Sequence, residues 1–117
     1  MALKKVVQRI TKPIEVQDRE ALAKYCEDLG VTGMDDVVAR EHVRVGGEVR
    51  AVRIVPRAGA PALEVTVTDG RGFVTAVFLG RRKIAGLNPG RRVVLEGVAC
   101  PEGNRRLLFN PQYLLLS

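Results

Sequence analysis

From Val43 onward the apolar residues recur with a period of two, and the first such run carries two adjacent glycines. VRVGGEVRAVRIV, residues 43–55, reads as one long strand. Glycines inside a strand mark a bulge or a sharp bend, so Gly46-Gly47 is expected to bend it. A strand bent in its middle can serve both halves of one closed sheet, which turns the reading towards a barrel.

The next two runs form a hairpin. In LEVTVT (63–68), Leu63, Val65 and Val67 point one way and Glu64, Thr66 and Thr68 the other. GFVTAVFL (72–79) has apolar groups on both sides, so period alone does not select its inner face. Asp69-Gly70 between them suits a two-residue type I′ turn, whose central residues both take positive φ. Thr68 then faces Arg71, Thr66 meets Phe73, Val65 meets Val74 and Leu63 meets Ala76. The inner face becomes Leu63, Val65, Val67, Val74, Ala76 and Phe78. The outer face becomes Glu64, Thr66, Thr68, Phe73, Thr75 and Val77, and a phenylalanine there hints at a contact surface.

Around this hairpin, residues 56–61 read as a loop and 80–90 as a connection with a short helical turn near Ala85. Residues 91–99 are a fourth strand, PEGN (101–104) a turn, and 105–116 a fifth strand that Pro111 breaks or confines to an edge. Five short strands, a bent first strand and a long connection between strands three and four match a five-stranded Greek-key barrel, the OB-fold. A β-sandwich needs about seven strands. An SH3-like barrel is the competing architecture.

The first forty residues have helical periodicity instead. Leu3, Val6, Val7 and Ile10 share one helical face, and Pro13 stops that helix near Thr11. Asp18 is placed to cap a second helix over 19–29, with Ala21, Leu22, Tyr25, Cys26 and Leu29 on one face and Gly30 as its left-handed stop. VTGMDDVV (31–38) has an ambiguous pattern, which a loop with one helical turn would fit. The expected organisation is mainly β: an OB-fold domain over 41–117 with an N-terminal two-helix extension over 1–40. Helices this short are marginal alone, so they should pack on the barrel or on a second copy, which would make a homodimer.

Charge separates the two parts. Residues 1–40 hold seven basic and seven acidic residues; residues 41–117 hold twelve and six, and so carry the whole net charge of +6. A basic excess confined to one segment favours a polyanionic partner. Arginine outnumbers lysine fourteen to five, which is also what a genome rich in G and C produces. No apolar run reaches the roughly 18–20 residues of a membrane span, and no secretory leader is evident. Cys26 and Cys100 stand alone in sequence and fit reduced structural thiols, so a cytoplasmic, non-membrane location is expected.

The run G-E-V…L-E-V-T-V-T-D-G-R-G-F-V-T-A-V-F…L-N-P-G-R-R-V-V-L-E-G-V…N-P-Q-Y resembles nucleic-acid-binding OB-folds. It is most similar to the wedge domain of RecG-type branch-migrating DNA helicases, over about residues 43–113. The chain departs from those enzymes in having no G-x-x-x-x-G-K-[ST] motor motif. In that respect it looks like a small stand-alone OB-fold protein of actinobacterial type. The resemblance implies binding of single-stranded or junction DNA, or of RNA.

Catalysis finds little support. His42 is the only histidine, nothing in the sequence places it beside Cys100, and a zinc ligand pattern is missing. Asp35-Asp36 are read as partners of a helix dipole. The chain is therefore expected to be non-catalytic, with no cofactor or metal. OB-folds bind across the outer face of strands two and three and the loops beside it. Here that surface would comprise Thr66, Phe73 and Thr75, with Arg50 and Arg53 on strand one and Arg57 in the following loop. Arg81, Arg82 and Lys83 come from the connection after strand three, and Arg105 and Arg106 follow the 4–5 turn. Arginines would neutralise phosphates and Phe73 would stack on a base. Glu64 on the same face opposes a phosphate. A bland alternative packs Phe73 under the helices and leaves the arginines as a solvated rim. An interaction module whose outer face is covered by the helices or a partner protein is the competing function.

Overall fold

The computed structural model describes residues 14–117, with side chains from residue 16 onward. The helix expected over residues 3–10 lies outside the described residues. Among the described residues one α-helix, α1 (Ile14–Asp28), precedes the strands. It starts four residues before Asp18, so that residue lies within the helix and is exposed instead of capping it. Glu15, Val16 and Gln17 include neither glycine nor proline, so nothing in them halts the helix upstream. Gly30 does end it as expected: φ is +70°, and the Leu29 and Gly30 amides donate to the Cys26 and Glu27 carbonyls. A 3-10 turn, Met34–Asp36, follows.

Six strands come next: β1 (His42–Ile54), β2 (Ala62–Thr68), β3 (Phe73–Leu79), β4 (Arg92–Glu102), β5 (Arg105–Phe109) and β6 (Gln112–Leu115). β1 pairs antiparallel with β4 through residues 42–48 and with β2 through residues 48–54. β2 pairs with β3, β3 runs parallel to β5, and β5 pairs back onto β4. Five strands thus form a closed sheet, in the ring order β1-β2-β3-β5-β4. β6 lines the lower part of β4, pairing residues 112–115 with 93–96. Inside the ring, Val43, Val45, Val49, Leu63, Val65, Val67, Val74, Ala76, Leu95 and Leu108 make the main core.

The two glycines of β1 do not carry the bulge. The register shifts between Val49 and Ala51, at Arg50. Gly46 and Gly47 instead admit close neighbours. A Cβ on Gly47 would lie 2.5 Å from the Thr68 carbonyl oxygen, and one on Gly46 would lie 2.9 Å from Leu29 Cδ1. The first glycine lets α1 settle on the ring; the second lets β1 pass tightly over the end of β2. Leu22 and Cys26 are buried on the side of α1 that faces the closed sheet, and Arg92 stacks 4.1 Å from the Tyr25 ring centre.

The hairpin register differs from the expected one by two residues. Thr68 pairs with Phe73, Thr66 with Thr75, Val65 with Ala76 and Leu63 with Phe78. Asp69 does not take positive φ, which rules out type I′. Its Oδ1 instead accepts from the Arg71 and Gly72 amides at 2.9 and 3.0 Å, making a four-residue loop over 69–72. A slip of two preserves side-chain parity, so the expected inner residues Leu63, Val65, Val67, Val74, Ala76 and Phe78 are all buried.

Other connections also depart from expectation. Residues 55–61 extend the β1–β2 hairpin: Arg57 and Ala60 exchange backbone hydrogen bonds around Ala58 (φ 51°) and Gly59 (φ 80°). The 80–91 connection has no helix, and it drops Ile84 and Leu87 into the core. β4 continues past residue 99 to Glu102, which pairs with Arg105 across a two-residue turn. Pro111 does break the last run. Asn110, at φ 47°, accepts the Leu79 amide on Oδ1 and donates its own amide to the Val77 carbonyl, and the chain then crosses to β4 as β6.

Two substitutions test this backbone account in opposite directions. Gly47→Ala forces a Cβ against a backbone carbonyl and should lower stability by about 1–3 kcal/mol. Ala58→Asn places a residue that tolerates the left-handed region ahead of Gly59 and should raise stability by up to about 1 kcal/mol. Thermal denaturation of both checks the signs; an unchanged Gly47→Ala or a destabilised Ala58→Asn would contradict the geometry.

Candidate functional site

The tip of the β2–β3 hairpin is held on three sides. Asp69 is buried, and its Oδ2 accepts the Met34 amide at 2.8 Å, which ties the 3-10 turn to the loop. Gly70 has φ +87°, and a Cβ there would lie 2.5 Å from the Arg19 carbonyl of α1. A Cβ on Gly72 would come 3.1 Å from the Met34 carbonyl carbon. Both glycines of D-G-R-G therefore seat the loop between α1 and the 3-10 turn. Thr68 Oγ1 donates to the Gly72 carbonyl at 2.7 Å and accepts the Gly70 amide, closing the base of the loop.

That seating builds an open groove of about 600 Å³. Phe73 forms one wall, with the Thr68, Gly70 and Gly72 backbone beside it and Arg19, Arg50 and Arg71 around it. Phe73 is 63% exposed, the largest exposure among the big apolar residues described. Arg71 is bridged to Glu27 of α1 at 2.9 Å, and Arg50 lies 3.6 Å from Glu48. Arg19 has no ion-pair partner among the described residues. Exposed pairs of this kind are screened by solvent and weakly held, so the guanidiniums remain available to an anion.

A second cluster occupies the middle of the same outer face. Glu64 is 2% exposed beneath three arginines. Its Oε1 accepts from Arg53 at 3.2 Å and Arg105 at 3.0 Å, and its Oε2 from Arg57 at 3.4 Å. Glu102 adds a second carboxylate, its Oε2 accepting from Arg57 at 2.9 Å and Arg105 at 2.8 Å. The Arg57 guanidinium also lies 5.4 Å from the Phe109 ring centre. Burial alone would raise the Glu64 pKa, but hydrogen bonds from Arg105, Arg57 and Arg53 together outweigh it and hold the carboxyl below its ordinary value. Hydrogen bonds from Arg57 hold Glu102 low in the same way and raise Arg57 in return.

The expected surface is therefore divided. Phe73 and Arg50 meet in the groove. Arg53, Arg57 and Arg105 meet around Glu64, which is their shared counter-ion. Thr75 is buried and cannot reach a ligand, and Thr66 is half-buried. Thr68 and Val77 of the expected outer face are buried too, Val77 in a small cluster with Ala62 and Leu107. Arg57 and Arg105 reach Glu64 on the same face. Arg81, Arg82 and Lys83 are exposed beyond the far end of β3, about 20 Å along the strand from Phe73. Arg106 is half-buried and alternates to the other side of β5 from Arg105.

Sequence reasoning missed Arg19 and Arg71. Arg71 sits inside the D-G-R-G turn that was read only for its backbone, and Arg19 enters through the docking of α1, which no local pattern reports. Cys26 is buried, and burial pushes its thiol up to about 11, so it stays protonated at neutral pH. Among the described residues no group of three or more His, Cys, Asp or Glu could hold a metal ion, and no helix is long and apolar enough to cross a membrane. In comparisons with known proteins, no family model and no curated protein matches the chain.

Glu64 makes the cluster testable by pH. Its folded-state pKa is depressed, so its stabilisation is complete above the unfolded glutamate value of about 4.3 and is lost as pH falls through the lower folded value. Glu64→Gln should cost roughly 1–3 kcal/mol at neutral pH. The gap between variant and native protein should close in acid. A gap that stays constant from neutral pH down into strong acid, measured by urea denaturation, would contradict the ion-pair account.

Proposed function

We propose that the closed five-stranded sheet is an OB-fold barrel and that the chain is a non-catalytic nucleic-acid-binding protein. The ring order, the shared first strand and the parallel β3–β5 pairing support the fold reading. The ligand is single-stranded or branched DNA, or RNA, and it enters at the hairpin tip. The likeness to helicase wedge domains favours a branched end among these.

One observation carries the reading. Phe73 is an outward aromatic, 63% exposed, in a groove with three arginines around it. An exposed phenylalanine ring loses free energy to water unless something covers it, and a base is a flat apolar partner. The arginines supply the charge that phosphates need on either side of a stacked base. The net charge of +6 adds long-range attraction.

A second reading rests on the other end of the barrel. Leu79 and Phe109, on the neighbouring strands β3 and β5, are exposed at 46% and 39%, as a protein-interaction module would require. The two readings differ in salt dependence: phosphate contacts weaken steeply with ionic strength and apolar contacts do not.

Fluorescence anisotropy with a labelled single strand at several salt concentrations tests the first reading. Phe73→Ala should lose about 1–3 kcal/mol of affinity at every salt concentration, with the slope of log K against log salt unchanged. Arg50→Ala with Arg71→Ala should lower affinity and flatten that slope by about 0.7 per lost contact. All three side chains are exposed, so both variants should stay folded by circular dichroism. Folded variants that bind as the native protein does would shift the assignment to protein interaction.

A further inference from the structure

We infer that Arg53, Arg57 and Arg105 form a second phosphate subsite, which Glu102 occupies in the free protein as an internal phosphate mimic. The inference rests on the nucleic-acid reading above and extends it from the hairpin tip to the middle of the outer face.

The two carboxylates of the cluster are not equivalent. Glu64 lies in the middle of β2, is 2% exposed, and takes hydrogen bonds from all three arginines. It is fixed. Glu102 is the last residue of β4, just before the two-residue turn to Arg105, and its side chain is 47% exposed. It can rotate away into water without moving a paired strand. One of its oxygens bridges the terminal nitrogens of Arg57 and Arg105, at 2.9 and 2.8 Å. A single anionic oxygen between two guanidiniums is the arrangement that a phosphodiester oxygen takes with an arginine pair.

Charge and donor counts leave room for the exchange. Three arginines carry +3 against −2 from Glu64 and Glu102. When Glu102 swings out, the site holds three guanidiniums against one carboxylate, an excess that suits one or two phosphates. Each guanidinium has five donors, and the buried Arg57 Nε has no hydrogen-bond partner among the described residues. Glu64 keeps the forks oriented meanwhile, so a phosphate would meet a preorganised pair. The exposed partner is held weakly, since solvent screens pairs at such exposure.

The consequence is an affinity set partly by competition between Glu102 and the nucleic-acid backbone. Glu102→Gln and Glu102→Ala should remove the competitor while leaving Glu64 to hold the arginines. Glu41→Gln serves as the charge control, because it removes one exposed carboxylate without touching the cluster.

The experiment combines two probes. In anisotropy titrations with a labelled single strand, both Glu102 variants should bind roughly fivefold tighter or more, the scale of one charge-assisted contact. Their salt slope should steepen by about 0.7, and Glu41→Gln should show neither change to that extent. In parallel, inorganic pyrophosphate titrated into ¹⁵N-labelled protein should shift the amides of residues 102–105 more strongly, and at lower concentration, in Glu102→Gln than in the native protein. If the single strand binds native protein and Glu102 variants with equal affinity and slope, the subsite is wrong and the groove reading stands. A gain that Glu41→Gln matches would also overturn it, as general charge. If no protein binds the single strand but pyrophosphate still selects residues 102–105 in the variant, the subsite stands and the nucleic-acid reading falls. Absence of pyrophosphate shifts there in Glu102→Gln would overturn the subsite on its own.

Discussion

One strand is shared by both sides of the sheet, and the rest of the molecule depends on it. β1 hydrogen-bonds to β4 over its first half and to β2 over its second, with Glu48 paired to both Thr68 and Arg92 at the changeover. Without that sharing the five strands would be an open sheet with two unpaired edges. The crossing demands a close approach at Gly47 and a bulge at Arg50. The bulge also turns the Arg50 side chain outward, towards the hairpin tip, where it joins Phe73. Closure of the ring and construction of the groove are one structural event.

Charge on the outer face follows a matching economy. A basic face that simply repelled itself would destabilise the closed sheet. Here Glu64 and Glu102 hold three arginines in place, and Glu27 and Glu48 hold two more near the tip. Most of these pairs have at least one exposed member, so they orient guanidiniums more than they stabilise the fold. Glu64 differs in being buried itself, and removing it would leave three arginines with Glu102 as the one carboxylate the cluster retains.

The alternation of apolar residues was enough to name the inner face. Leu63, Val65, Val67, Val74, Ala76 and Phe78 are buried because parity survives a slip of two residues. The register itself was hidden. It depends on Asp69 accepting two amides and a third from Met34, and a dipeptide signal cannot report contacts with residues 35 positions away. The paired left-handed residues expected at Asp69-Gly70 occur at Ala58-Gly59, which alanine does not advertise. The second helix was legible in type and in its stop but began earlier than its apparent cap. At the site, Phe73 was legible as an outward aromatic. The grouping of Arg19 and Arg71 with it was not, because it comes from tertiary docking of α1. The pairing of Glu64 was also hidden: in sequence it is a lone acid on a face with arginines, and in space Arg53, Arg57 and Arg105 converge on it from three separate segments.

We place the proposed nucleic-acid contact in the tip groove. Amide chemical-shift mapping during titration with a short unlabelled single strand tests it most directly, with the aromatic region followed for the Phe73 ring. The account predicts saturable shifts concentrated at residues 19, 50 and 68–73, with the Phe73 ring protons moving upfield under a stacked base. Saturable shifts confined to the Leu79 and Phe109 end of the sheet, with the Phe73 ring unmoved, would contradict it.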